Sequence, residues 1–212
     1  MLETSQDGRE APATTATQGT LIIVIGPSGA GKDSLINYAR ARLASDPAVL
    51  FVRRTVTRTA DAATEDHESL TQEEFAAAAA EGRFAVVWEA HGLRYGIPAG
   101  ARAHIEAGGV AVANGSRAAL PAILARFGKV TVVHVNARPD VLASRLAMRG
   151  REDAATIQAR LERKPEDTPS CDRWIEIDNS GELAVAGERL LAVIGGFYHC
   201  EKAPGSGVKA HP

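Results

Sequence analysis

The run TLIIVIGPSGAGKDSL, from Thr20 to Leu35, constrains the fold more tightly than any other stretch of the chain. Its first half is short and unbrokenly apolar, the pattern of a parallel strand covered on both faces. Its second half, Gly26-Pro27-Ser28-Gly29-Ala30-Gly31-Lys32, fits GxxxxGK and leads into helical spacing at Leu35, Ile36, Ala39 and Leu43. Strand, glycine loop, lysine and helix in that order spell a phosphate-binding loop. The glycines let successive backbone N–H groups face phosphate oxygens, the helix N-terminus adds partial positive charge, and the lysine reaches the outer phosphates. One letter departs from the usual spelling. A hydroxyl normally follows the lysine and meets Mg²⁺, whereas here Asp33 stands there and Ser34 comes next. Either Asp33 enters the metal shell, directly or through a water, or Ser34 does and Asp33 faces out of the first helical turn, where acids are favourable.

Beyond the loop, strand and helix patterns alternate. TQEEFAAAAAEG carries a capping box, Thr71 with Glu74, and a stop at Gly82. FAVVWEA, GVAVANG, KVTVVHVN and WIEID read as strands; PAGARAHIEAG, RPDVLASRLAMRG, EDAATIQARLERK and ELAVAGERLLAVIG read as helices. This alternation predicts an α/β fold with a parallel sheet covered by helices. Residues 1–19 and 201–212 are polar and aperiodic, so a disordered leader and a flexible tail are expected around a single domain spanning 20–200. The N-terminus has no basic head and apolar run, and LIIVI is too short to span a bilayer, which predicts a soluble, cytoplasmic protein. A net charge of −2 argues against a polyanionic partner. Cys171 and Cys200 lie far apart without metal-ligand spacing and read as free thiols.

Further motifs follow in order: VTR at 56–58, EDH at 65–67, LTQEEF at 70–75, RYG at 94–96, RLAMRG at 145–150, Arg160, and DNS at 178–180. With the phosphate loop they resemble the guanylate-kinase-like branch of the nucleoside monophosphate kinases. The resemblance implies a P-loop NTPase core over 20–49 and 110–200, an acceptor-binding insert over about 50–109, and a lid over about 146–164. Guanylate kinases read the base with side chains that are missing here. The corresponding positions hold Asp61, His67, Val86, Ile97, Asn114 and Ser116. A guanine edge without partners would be left unpaired, so GMP is a poor candidate. Arg53, Arg54, Arg58 and Arg117 instead crowd the acceptor side, and arginine forks suit phosphate.

In GKDS, VTR, EDH, WEAHGLRYGIP and NGSR the chain is similar to the ribose 1,5-bisphosphate phosphokinases, the phosphonate-pathway members of this branch. That resemblance implies ATP with Mg²⁺ as donor, ribose 1,5-bisphosphate as acceptor and 5-phosphoribosyl 1-diphosphate as product. An attacking phosphate oxygen needs no general base, so catalysis reduces to positioning and charge neutralisation. The family's pattern assigns ATP to Gly26, Pro27, Ser28, Gly29, Ala30, Gly31, Lys32, Asp33, Ser34 and Asn179, with the metal at Asp33 or Ser34. It assigns Arg145, Arg149 and Arg160 to a lid acting with Lys32 on the transferred group. Arg54, Arg58, His67, Tyr95 and Arg117 fall to the acceptor; Glu65, Asp66, Glu89 and His91 receive no definite role. The expected partners are these small molecules, with neither nucleic acid nor membrane, and a homodimer is left open. Competing readings are a guanylate or other nucleotide kinase, a guanylate-kinase-like protein-binding module, and a gluconate- or shikimate-type kinase.

Overall fold

The computed structural model describes residues 19–58, 67–90, 92–148, 171 and 173–198. In chain order, β1 (Thr20–Ile25) runs into the glycine loop, α1 (Lys32–Leu43) and β2 (Val49–Phe51). Then come β3 (Arg54–Val56), β4 (His67–Ser69), α2 (Gln72–Ala80), β5 (Phe84–Ala90), β6 (Leu93–Pro98) and α3 (Ala99–Glu106). The chain returns through β7 (Val110–Asn114), a 3₁₀ turn at Arg117–Ala119, α4 (Leu120–Arg126), β8 (Val130–Asn136) and α5 (Pro139–Met148), then β9 (Arg173–Asp178) and α6 (Leu183–Tyr198).

Two sheets result. The first is wholly parallel, in the order β2-β7-β1-β8-β9, and places β1 at its centre. Every residue of β1 is buried, as a parallel strand covered on both faces requires. The two-residue period of the strand divides its side chains between two cores. Ile22 and Val24 pack with Leu35, Ile36 and Ala39 of α1 and with Leu190 and Ile194 of α6. Leu21, Ile23 and Ile25 pack on the other side with Ile105 of α3, Leu120 and Ile123 of α4, and Val86, Trp88 and Ile97 of the second sheet. Burying one such aliphatic side chain contributes about 1.5–3 kcal/mol, so this strand anchors both layers.

The second sheet is four-stranded and mixed, in the order β4-β3-β6-β5, with β3 and β4 parallel and the other pairs antiparallel. Phe75 of α2 stacks on Phe84 of β5 at 4.7 Å between centroids and holds helix to sheet. The expected capping box opens α2: Glu74 N donates to Thr71 Oγ1 at 3.1 Å and Thr71 N to Glu74 Oε2 at 2.8 Å. Thr57, just past β3, is buried and accepts from Arg94 N at 2.8 Å and from Gln72 Nε2 at 3.3 Å, tying β3, β6 and α2 at one oxygen.

The predicted helix-covered parallel sheet is present, and several elements add to it. Strands β2, β3 and β4 are three residues long and carry no readable period. β6 contains Gly96 and ends on Pro98, which masks a strand. α4 is seven residues long and follows a 3₁₀ turn, with a proline in its first turn. α6 also outlasts the expected stop at Gly195. Phe197 packs against the core and takes Arg173 over its ring at 5.0 Å, so tertiary contact overrides the helix-breaking tendency of two glycines. The predicted helix over 152–164, the leader over 1–18 and the tail over 201–212 lie outside the described residues.

Candidate active site

The glycine loop turns at the carboxyl edge of the parallel sheet, between β1 and α1, and three side chains hold its shape. Lys32 folds back across it and donates from Nζ to the carbonyls of Gly26 at 2.9 Å and Pro27 at 3.0 Å. Asn179, buried after β9, donates from Nδ2 to Ala30 O at 2.7 Å. Arg145 of α5 donates to Asn179 O at 2.9 Å and approaches Gly29 O at 3.5 Å. Gly31 has φ +85°, and a Cβ there would run into Asn179 Nδ2. Only glycine fits, by backbone conformation and by space. No side chain caps α1, so its first N–H groups stay available to an anion.

Asp33 and Ser34 serve different hollows. Ser34 opens onto a cleft of about 370 Å³ with Gly29, Gly31, Arg145, Met148, Asn179 and Leu183. Asp33 lines a smaller recess with Ile36, Asn37, Arg40, Val52, Arg54 and Asn114. Its Oδ1 accepts a 2.5 Å hydrogen bond from Asn114 Nδ2, across from the end of β7. Asn114 is itself buried, and its Oδ1 has no hydrogen-bond partner. A carboxylate beside an unsatisfied amide oxygen is an oxygen donor set of the kind Mg²⁺ prefers, so these residues fit that ion.

The second sheet faces the recess. Arg54 of β3 lies over the Tyr95 ring at 5.5 Å, and Tyr95 stacks on Trp88 at 5.3 Å with 9° between planes. Arg54 is in register with His67, whose carbonyl accepts from Arg53 at 3.1 Å. Val86 and Ile97 are paired across β5 and β6 and buried in the second core. Arg117 occupies the 3₁₀ turn after β7 and bonds His134 Nε2 at 3.3 Å. Burial, first, and then the cations Arg117 and Lys32 hold the His134 imidazole below its ordinary titration range, against an opposing pull from Glu176.

No protein-family model matches the chain. It is 47% identical over 174 residues to a ribose 1,5-bisphosphate phosphokinase PhnN of Agrobacterium fabrum, covering 82% of this chain and 95% of that protein. It is 49% identical over 178 residues to a ribose 1,5-bisphosphate phosphokinase PhnN of Burkholderia mallei, covering 84% and 96%. The chain belongs to the ribose 1,5-bisphosphate phosphokinase family. Among solved structures, a guanylate kinase from Anaplasma phagocytophilum superposes with a TM-score of 0.58 at 16% identity, covering 85% of this chain and 86% of that one, which shows the shared fold.

Of the residues expected for a ribose 1,5-bisphosphate phosphokinase, seven line two hollows. Gly29, Gly31, Ser34, Arg145 and Asn179 line the larger one, and Asp33 and Arg54 the smaller. Tyr95 reaches the smaller group through Arg54. Arg58 is half-buried at the end of the β3 segment. Glu89 is exposed and lies 3.6 Å from Arg94, on the outer side of the second sheet. Arg149, Arg160, Glu65, Asp66 and His91 lie outside the described residues. Sequence reasoning passed over His134, which reads as an ordinary strand residue. It also missed that Asn114 meets Asp33: 81 residues separate them. Among the described residues, no helix is long and apolar enough to cross a membrane.

Proposed function

We propose that this phosphokinase transfers the γ-phosphoryl group of ATP to the 1-phosphate of ribose 1,5-bisphosphate, yielding 5-phosphoribosyl 1-diphosphate and ADP. The observation that carries the reading is the exchange of a base site for cations. Val86 and Ile97, where guanylate kinases hold base-reading side chains, are locked into the core. Arg54 meanwhile shares a recess with Asp33, and Arg117 acts with Lys32 on the His134 ring. An acceptor rich in phosphate and lacking a base fits that arrangement.

An ionised oxygen of the acceptor 1-phosphate attacks the γ-phosphorus; that O–P bond forms as the bond to the β,γ-bridging oxygen breaks, and ADP leaves with the charge. No proton has to be removed from the nucleophile, so the protein's task is orientation and charge. The loop amides and Lys32 hold the donor phosphates, and Asn179 fixes the loop by its bond to Ala30. Mg²⁺, when bound, neutralises charge on the donor phosphates; Asp33 and Asn114 on one side, or Ser34 on the other, would hold it. Arg145 with Arg149 and Arg160 is assigned to the lid, which excludes water and meets charge on the transferred group. The second sheet is assigned as the acceptor-binding insert, with Arg54, Arg58, His67, Tyr95 and Arg117 around the two acceptor phosphates. The partners in this reading are small molecules, with a homodimer left open, in the cytoplasm.

ADP release with matched concentrations of ribose 1,5-bisphosphate, ribose 5-phosphate, GMP, AMP and gluconate tests the reading. Each acceptor phosphate should contribute about 1.5–3 kcal/mol of charge-assisted contact, roughly one to two decades in kcat/KM, and ribose 5-phosphate, which lacks the attacking 1-phosphate, should give no 5-phosphoribosyl 1-diphosphate. Ribose 1,5-bisphosphate should therefore lead, with 5-phosphoribosyl 1-diphosphate as the identified product. GMP outperforming it would restore the guanylate kinase reading.

A further inference from the structure

β8 carries His134, a side chain that no step above uses. Strand register places it beside Ile25 of β1, immediately before the phosphate loop, and beside Glu176 of β9. The side chain is 12% exposed. Arg117 brings one guanidinium nitrogen to 3.3 Å from Nε2. A guanidinium only donates, so Nε2 is the acceptor and the ring proton resides on Nδ1. Nδ1 is buried without a hydrogen bond and faces Glu176 Oε1 at 3.5 Å. That carboxylate in turn accepts from Trp174 Nε1 at 3.4 Å, and the Trp174 ring tilts against the imidazole at 5.4 Å. The groups acting on the ring are Arg117 from the 3₁₀ turn, Lys32 from α1 and Glu176 from β9. A line therefore runs from Trp174 near the start of β9 through Glu176 and His134 to Arg117, built from three elements.

We infer that His134 is a positioning residue: its neutral imidazole holds the Arg117 guanidinium in the orientation that meets an acceptor phosphate. The inference rests on the acceptor reading for Arg117 given above. A free arginine samples many rotamers, and one hydrogen bond to a buried, rigid partner removes that cost from ligand binding. The bond requires a lone pair on Nε2. Protonation takes the lone pair, turns Nε2 into a donor and sets two cations side by side. Because burial and its cationic neighbours keep the ring below its usual midpoint near 6.5, it stays neutral at neutral pH and the arrangement fails only as pH falls through that lowered midpoint.

The test compares wild type, His134→Gln and His134→Phe from about pH 8 down to about pH 4.5. Glutamine keeps an acceptor oxygen and does not titrate; phenylalanine has none. At neutral pH, His134→Phe should raise KM for ribose 1,5-bisphosphate about tenfold, with kcat and KM for ATP changed less than about threefold, and His134→Gln should recover most of the loss. The acceptor's phosphates titrate near pH 6, but their effect cancels in the ratio of wild-type to His134→Gln kcat/KM. That ratio should fall by about fivefold as pH passes below the His134 midpoint read by the titration described next, and a ratio flat across that midpoint would overturn the inference. So would equal losses in ATP and acceptor affinity in His134→Phe.

A second arm needs no substrate. The imidazole C–H resonance of His134, assigned by its absence in His134→Gln, is titrated in wild type and in Arg117→Ala. Removing the cation should raise the midpoint, whereas an unmoved midpoint would refute the pairing. A raised midpoint in a protein inactive on ribose 1,5-bisphosphate would uphold the pairing and reject the substrate reading.

Discussion

The two sheets of this phosphokinase are built to different standards. In the parallel sheet, β1 is buried from end to end, and the loop that follows it is held by Lys32, Asn179 and Arg145, all bonded to backbone carbonyls. In the mixed sheet, β3 and β4 are three residues long, and β4 is only partly buried. Its support comes from aromatic stacks, Phe75 on Phe84 and Trp88 on Tyr95, and from exposed ion pairs such as Arg83 with Glu68 at 3.7 Å and Arg94 with Glu89 at 3.6 Å. Exposed pairs of that kind contribute about 1 kcal/mol at most, so the sheet is held chiefly by the stacks, by Val86, Trp88 and Ile97 in the second core and by the Thr57 bonds. The lesson is a division of labour. In the function proposed above, donor geometry would rest on buried contacts to the loop backbone, and acceptor choice on side chains borne by the mixed sheet.

That contrast makes predictions of graded size. Lys32→Ala strikes the donor half and should cost about two to three decades in turnover, by analogy with other groups that meet developing charge. Far-UV circular dichroism should be unchanged, and near-native turnover would remove the loop from the chemistry. Arg54→Ala strikes the acceptor half. It should lower kcat/KM for ribose 1,5-bisphosphate by about one to two decades while leaving KM for ATP alone. Equal losses on donor and acceptor would dissolve the distinction between the halves. Asp33→Asn tests the seam between them, since the variant keeps the oxygen that accepts from Asn114 and loses only the charge. If the carboxylate belongs to the metal shell, the Mg²⁺ concentration for half-maximal rate should rise about tenfold, with metal-free ATP binding unchanged. An unaltered Mg²⁺ titration would assign the metal to Ser34.

The donor half was also the more legible in sequence, for the same physical reason. A strand buried on both faces must be apolar throughout, and a phosphate loop must carry its glycines, so β1, the loop and α1 announce themselves locally. The capping box of α2 is local too, and β5 runs over the residues its pattern marks. What stayed hidden depends on distance along the chain. Asn114 matters because it meets Asp33, and His134 because it meets Arg117, and neither partnership leaves a mark in residue spacing. Three-residue strands are too short to show a period, and α6 crosses Gly195 and Gly196 because Phe197 finds the core.

The central place of β1 has a consequence for how the molecule is made. It is the first described strand to be synthesised, yet its two hydrogen-bonding neighbours begin only at Val110 and Val130. On the ribosome, at roughly 5–20 residues per second, LIIVI waits on the order of 5–20 s without a strand to pair with. Its unbroken apolar character, required in the finished sheet, is during that interval a segment prone to stick to other nascent chains. Newly made chains should therefore lean on chaperones at this one segment, and slower elongation between residues 26 and 130 should lower soluble yield without altering the finished enzyme.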